Sequence, residues 1–115
     1  MKEIKRGEVW FVNLDPTVGH EIKKARPAVI IQNKIGNQYS EITIIAPLTS
    51  QNIDKVYPIE VLLTRENSGV EKDSKVLLNQ IRAIDKQRLL KRVGRVHEEA
   101  MEKINEAIKI SLGLE

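Results

Sequence analysis

The chain has 115 residues, no cysteine, two histidines and a formal net charge of +3. That length suits one domain able to bury roughly two thirds of the surface its unfolded form exposes, and the missing thiols exclude a disulfide framework and a thiolate metal site. Neither histidine has a carboxylate at ligand spacing, so no metal centre is expected; the charged N-terminus and the lack of a ~18-residue apolar run point away from a signal segment or membrane span, towards a cytoplasmic protein.

Glu8 to Leu14, bounded by Gly7 and Asp15-Pro16, alternates Val9 and Phe11 with Trp10 and Val12 and predicts the first strand. Trp10 inside it suits a core or a dimer interface. Further short runs rich in Val and Ile predict strands at Ala28–Gln32, Ile42–Leu48, Ile59–Leu63 and Val76–Ile81. Residues 34–40 and 65–74 carry the Gly, Asn, Asp and Ser of connecting turns. Asp85 is placed to cap a helical turn over 86–91, a brief strand follows at Arg92–Val96, and His97 reads as a structural or capping residue. From Glu98 the period changes: Met101, Ile104, Ala107 or Ile108, and Leu112 recur three or four apart, an amphipathic helix ended near Gly113. The expectation is a mainly β protein with a C-terminal α-helix, a small SH3-like barrel.

Two places concentrate chemistry. Asp15-Pro16-Thr17-Val18-Gly19-His20-Glu21 sets a carboxylate and an imidazole on a loop that leads to Arg26-Pro27, whose proline biases Arg26 towards extended backbone. The strand from Ile42 ends at Leu48-Thr49-Ser50, where two hydroxyls precede Gln51-Asn52. A guanidinium with hydroxyls suits a bound phosphate. Charge distribution agrees: residues 1–97 carry 17 Lys and Arg against 11 Asp and Glu, whereas 98–115 carry 2 against 5. Lys23-Lys24-Arg26 and the set Lys86, Arg88, Lys91, Arg92 and Arg95 suit a polyanion partner, or simply a solvated surface.

Arg6-Gly7-Glu8-Val9-Trp10, the Asp-Pro-Thr-x-Gly-His-Glu loop, Arg26-Pro27, Leu48-Thr49-Ser50 and Gln80-Ile81-Arg82-Ala83-Ile84-Asp85 occur in the order and spacing of one family. On these segments the chain resembles the MazF/PemK/Kid toxin endoribonucleases of type II toxin–antitoxin pairs. The resemblance implies an SH3-like barrel acting as a homodimer on single-stranded mRNA, held in check by a cognate MazE-like antitoxin, with Arg26 and Thr49 as the catalytic pair.

Metal-free RNA cleavage needs an in-line 2′-OH, a base, an acid for the leaving 5′-oxygen and positive charge at the phosphorus. Arg26 supplies charge at any working pH and Thr49 a hydroxyl hydrogen bond. His20 and Glu21 are the proton-transfer candidates; alternatively His20 is a surface loop residue, and Glu21 an ion-pair partner that orders Arg26. Asn79 departs from Kid-like members, some of which place an acid there, and Leu77 lacks their nearby basic side chain. With four aromatic residues beside twelve Asn and Gln, base reading falls to amides and hydroxyls rather than stacking. Lys24, Asn33, Ser50, Gln51, Asn79 and Gln80 are the expected RNA contacts, and no cofactor is expected. Two other readings fit the fold: a gyrase poison of the CcdB type, whose Trp near the C-terminus is missing here, and a non-catalytic SH3-like nucleic-acid-binding module.

Overall fold

The computed structural model describes residues 2–114. Seven strands form one strongly bent sheet: β1 Glu8–Asn13, β2 Ala25–Ile30, β3 Ile42–Thr49, β4 Glu60–Leu63, β5 Ser74–Leu77, β6 Arg82–Asp85 and β7 Leu89–Arg95. The order is β4-β5-β3-β2-β1-β7, with β6 also pairing β3 and every pairing antiparallel. β3 makes the bend. One of its edges pairs with β2, while the other pairs with β6 over Ile42–Ile45 and with β5 only at Leu48 and Thr49. Ala46 and Pro47 fall in the gap between those two partners, a place in a central strand that tolerates a residue without an N–H.

Two apolar clusters occupy the two sides of the sheet. One gathers Val12, Leu14, Ala28, Ile30, Ile45 and Leu89 inside the bend. The other joins Val9, Val29, Leu48 and Leu63 to Ala100, Ile104 and Ala107 of helix α3, Glu98–Leu112. Gly113 ends α3 at φ +72, its amide bonding the carbonyls of Ile110 and Lys109, as expected of a left-handed glycine cap. Among the described residues no helix is long and apolar enough to cross a membrane.

The structure revises several sequence expectations. Residues 34–40 contain a helix, α1 Lys34–Tyr39, rather than a plain connection: Asn33 caps it by accepting from the Gly36 amide, and Asn37 is buried in bonds to Gln32 and Thr43. Residues 65–74 hold α2, Arg65–Ser68, opened by a reciprocal Thr64/Asn67 capping box. The run 76–81 is not one strand. β5 ends at Leu77, a 3-10 turn covers Leu78–Gln80, and β6 then begins. Asp85 does cap a 3-10 turn, but only over Lys86–Arg88. His97 occupies the N-cap position of α3 without a side-chain cap; its amide bonds Asn67 O instead. Alternation in β1 is interrupted, since Val9 and Val12 are buried while Trp10 and Phe11 are half-buried, with two register irregularities against β7.

The Arg6–Trp10 segment is a scaffold. Arg6 joins Ile31 O to Asn105 of α3, and the buried Glu8 carboxylate accepts from Lys5 N and Trp10 Nε1 and pairs with Arg92 at 3.4 Å.

Candidate active site

The site lies where β2 begins and β3 ends. Partners across these strands run Ala28↔Pro47, Val29↔Ala46 and Ile30↔Ile45; the same register carried two steps past its last pair would set Arg26 opposite Thr49, a position from which side chains share a face. Ile31 N donates to Ile44 O, which fixes the phase of the ladder and makes Pro27 and Leu48 a hydrogen-bonding position. Proline has no proton to give there. The Leu48 carbonyl instead accepts from Arg26 Nη1 at 3.1 Å, and Lys23 O accepts from Arg26 Nε at 2.8 Å. Two carbonyls thus orient the planar fork and leave donors over for a ligand.

Arg26 is half-buried and, among the described residues, pairs with no carboxylate. Partial desolvation lowers its pKa from the ordinary arginine value, yet a guanidinium stays charged at any working pH. A cation that has lost water without gaining an anion is a ready phosphate receptor. Thr49 complements it: Oγ1 accepts from Gln51 N at 3.2 Å, which leaves its own proton free to donate. The groove beside Arg26 has a floor that includes Phe11, Pro27 and Leu48, and Lys72, Lys91 and Arg92 stand along it.

Leu14 to Lys24 form the loop before β2. His20 and Glu21 are exposed on it, and Glu21 Oε1 accepts from Val18 N at 2.7 Å rather than pairing with Arg26. The loop closes at its base, where Leu14 N donates to Lys24 O and Lys24 N to Asp15 Oδ1. Lys24 takes a left-handed φ of 72° there, a conformation costing a side-chain-bearing residue about 1 kcal/mol. Lys24→Gly should therefore raise stability by up to about 1 kcal/mol, read as a higher melting temperature. In an RNA titration the same change should lower the salt slope by about 0.7 if Lys24 neutralises a phosphate.

The remaining expected contacts divide. Ser50 lines the groove with Arg26, Gln51 follows Thr49 in the exposed turn, and Asn79 is exposed on the 3-10 turn. Gln80 is half-buried, and its Oε1 accepts from Ile22 N at 2.7 Å. Asn33 stands apart: it caps α1 beyond the other end of β2 from Arg26. The basic set at 86–95 also divides, for Lys86 is buried against Asn37 O and Arg88 donates to Asn13 O and Asp15 O, leaving Lys91 and Arg92 at the groove. Sequence reasoning missed Phe11, Pro27 and Lys72 as groove residues; the one local signal was the position of Pro27 beside Arg26.

Fold and site together define a small bent-sheet protein with an anion-receptive guanidinium at the mouth of a cationic groove. A family model described as the PemK-like, MazF-like toxin of type II toxin–antitoxin systems matches residues 5–112. The chain belongs to that family. It is 44% identical over 111 residues to endoribonuclease EndoA of Bacillus subtilis (strain 168), with 96% of each covered. It is 40% identical over 116 residues to endoribonuclease MazF9 of Mycobacterium tuberculosis, with 96% of this chain and 98% of that one covered. Its fold matches MazF of Deinococcus radiodurans with a TM-score of 0.83 at 24% identity, covering 98% and 99% of the two chains. A mycobacterial endoribonuclease in complex with its cognate antitoxin matches with a TM-score of 0.79, also at 24% identity, over 96% and 95%.

Proposed function

We propose that this chain is a sequence-specific endoribonuclease toxin that cuts single-stranded mRNA by transesterification and works as a homodimer neutralised by a cognate antitoxin. The observation that carries the reading is Arg26, partly desolvated, without a carboxylate partner among the described residues and bonded to the carbonyl of Leu48, the residue before Thr49. In the reaction the 2′-oxygen bonds to phosphorus as the P–O5′ bond breaks; the 2′ proton passes to a base and the 5′-oxygen takes one from an acid. Products are a 2′,3′-cyclic phosphate and a 5′-OH. Because the nucleophile belongs to the substrate, no metal-activated water is required. Arg26 donates to the non-bridging oxygens, whose charge grows in the transition state, and Thr49 Oγ1–H adds a second donor. His20 and Glu21, on the exposed loop, are the groups proposed to move protons. Lys24, Ser50, Gln51 and Asn79 are proposed to contact RNA around that phosphate, and Lys91 and Arg92 to track the backbone along the groove.

Incubating the protein with a single-stranded RNA in EDTA should yield fragments with cyclic phosphate and 5′-OH ends at a defined sequence. New 3′-OH and 5′-phosphate ends at the cut, or activity that appears only with added metal, would overturn the chemistry. In the same assay between pH 5 and 8, His20→Ala should flatten one limb of the rate profile; an unchanged profile would leave His20 a surface residue.

A further inference from the structure

Side chains from the 80–88 segment meet the backbone of the Leu14–Lys24 loop at both of its ends. Gln80 Oε1 accepts from Ile22 N at 2.7 Å, Arg82 Nη1 donates to Leu14 O at 2.8 Å, and Arg88 Nη1 donates to Asn13 O at 3.1 Å and to Asp15 O. These contacts bridge 58 and 68 residues for Gln80 and Arg82, so they are tertiary choices and not turn geometry. Ile22 directly precedes Lys23, whose carbonyl accepts from Arg26 Nε at 2.8 Å.

We propose that Gln80 and Arg82 are positioning residues for Arg26: they fix the two ends of the loop so that the Lys23 carbonyl holds the guanidinium in the plane it needs for the scissile phosphate. The inference rests on the ribonuclease reading above and assigns the Gln-Ile-Arg run a task distinct from reading bases. The carbonyl oxygen of Gln80 is engaged with Ile22, which makes its acceptor, not its amide protons, the working group. Misplacing a transition-state donor by a fraction of an ångström lowers turnover more than ground-state affinity.

The test combines kinetics with a signal independent of cleavage. Gln80→Leu and Arg82→Met should each lower kcat by about 10-fold to 100-fold while Kd for a non-cleavable 2′-O-methyl RNA and its salt slope stay near wild type. Gln80→Glu and Arg82→Lys, which keep an acceptor and a donor in place, should recover most of kcat at saturating RNA. In nitrogen-15 spectra of the free protein, the Arg26 Nε–H resonance should lose its exchange protection in Gln80→Leu and Arg82→Met but keep it in the conservative pair. Unchanged kcat with unchanged Nε–H protection would overturn the proposal. So would a loss confined to Kd in which Gln80→Glu is as impaired as Gln80→Leu, since that is base reading. Were the wild-type protein to cut no RNA, the ribonuclease reading would fail, while the Nε–H signal would still decide whether these residues hold Arg26.

Discussion

Arg26→Ala protein is expected to cleave single-stranded RNA about 10²- to 10³-fold more slowly than wild type at saturating substrate, a barrier increase of roughly 3–4 kcal/mol. The substitution removes a half-buried cation that, among the described residues, has no carboxylate partner, while the fold loses only two bonds to carbonyls, Lys23 O and Leu48 O. Stability should move little, because relief from a partly desolvated charge offsets those bonds. Burial lowers the pKa of Arg26, so its charged form disfavours folding wherever it is protonated, throughout the neutral range. That penalty fades only as pH rises through the folded pKa, far into alkali. No limb of a pH–rate profile between 5 and 8 can then belong to Arg26. Thr49→Ala should lose rate by a smaller factor, as one neutral donor is weaker than a charged fork. Wild-type rates in both variants, from single-turnover cleavage of one fluorescent RNA, would remove this pair from the mechanism.

The largest stability effect is expected at Gly94 in β7. A Cβ there would lie 2.2 Å from Ser68 O and 3.3 Å from Gly69 Cα, both backbone atoms that cannot swing aside. Ser68 is itself held, since its hydroxyl donates to Thr64 O at 2.7 Å and the preceding Asn67 O accepts from His97 N at 2.8 Å. Gly94→Ala must therefore push α2 away from β7 or unpair β7 from β1, and should cost roughly 3 kcal/mol. A urea titration reads this as a lowered midpoint with little change in slope. A midpoint equal to wild type would show that α2 shifts freely. Because the chain continues from Gly69 into the groove-lining Val70–Lys72, RNA affinity should fall along with stability.

Strands were readable in the sequence because Val and Ile runs between turn residues leave few alternatives for β1, β3 and β4. The Arg26 loop and Thr49 stand out in the sequence as candidates for phosphate chemistry because few residue types serve it. What escaped depends on contacts distant in the chain. α1 has the composition of a turn, and its order comes from Asn37 bonding to Gln32 and Thr43 and from Lys86 reaching Asn37 O. Leu78 enters a 3-10 turn although its amide still bonds Ile59 O in the register of β4 with β5, which no local pattern announces. The two ends of β2 look equally polar in sequence. Only the pairing with β3 tells that the Arg26 end reaches Leu48, next to Thr49, and that the Asn33 end does not. In the same way, a lysine in a basic run gives no sign that it is buried against a carbonyl, as Lys86 is. Pro27 was read for the backbone it imposes on Arg26; its second effect, leaving Leu48 O without a ladder donor, needs the phase of the pairing to be seen.

One arrangement governs how the molecule meets a strand before any contact forms. Acidic side chains gather on α3, where Glu99, Glu102 and Glu106 rim the trough against β4, while Lys72, Lys91 and Arg92 border the groove at Arg26. Unlike charges thereby line two separate depressions of one body, so the field of a nucleic acid draws in the groove at Arg26 and repels the trough along α3. Encounters should be fast and correctly oriented in dilute salt, and should slow as ions shorten the reach of that field to about 8 Å at physiological strength.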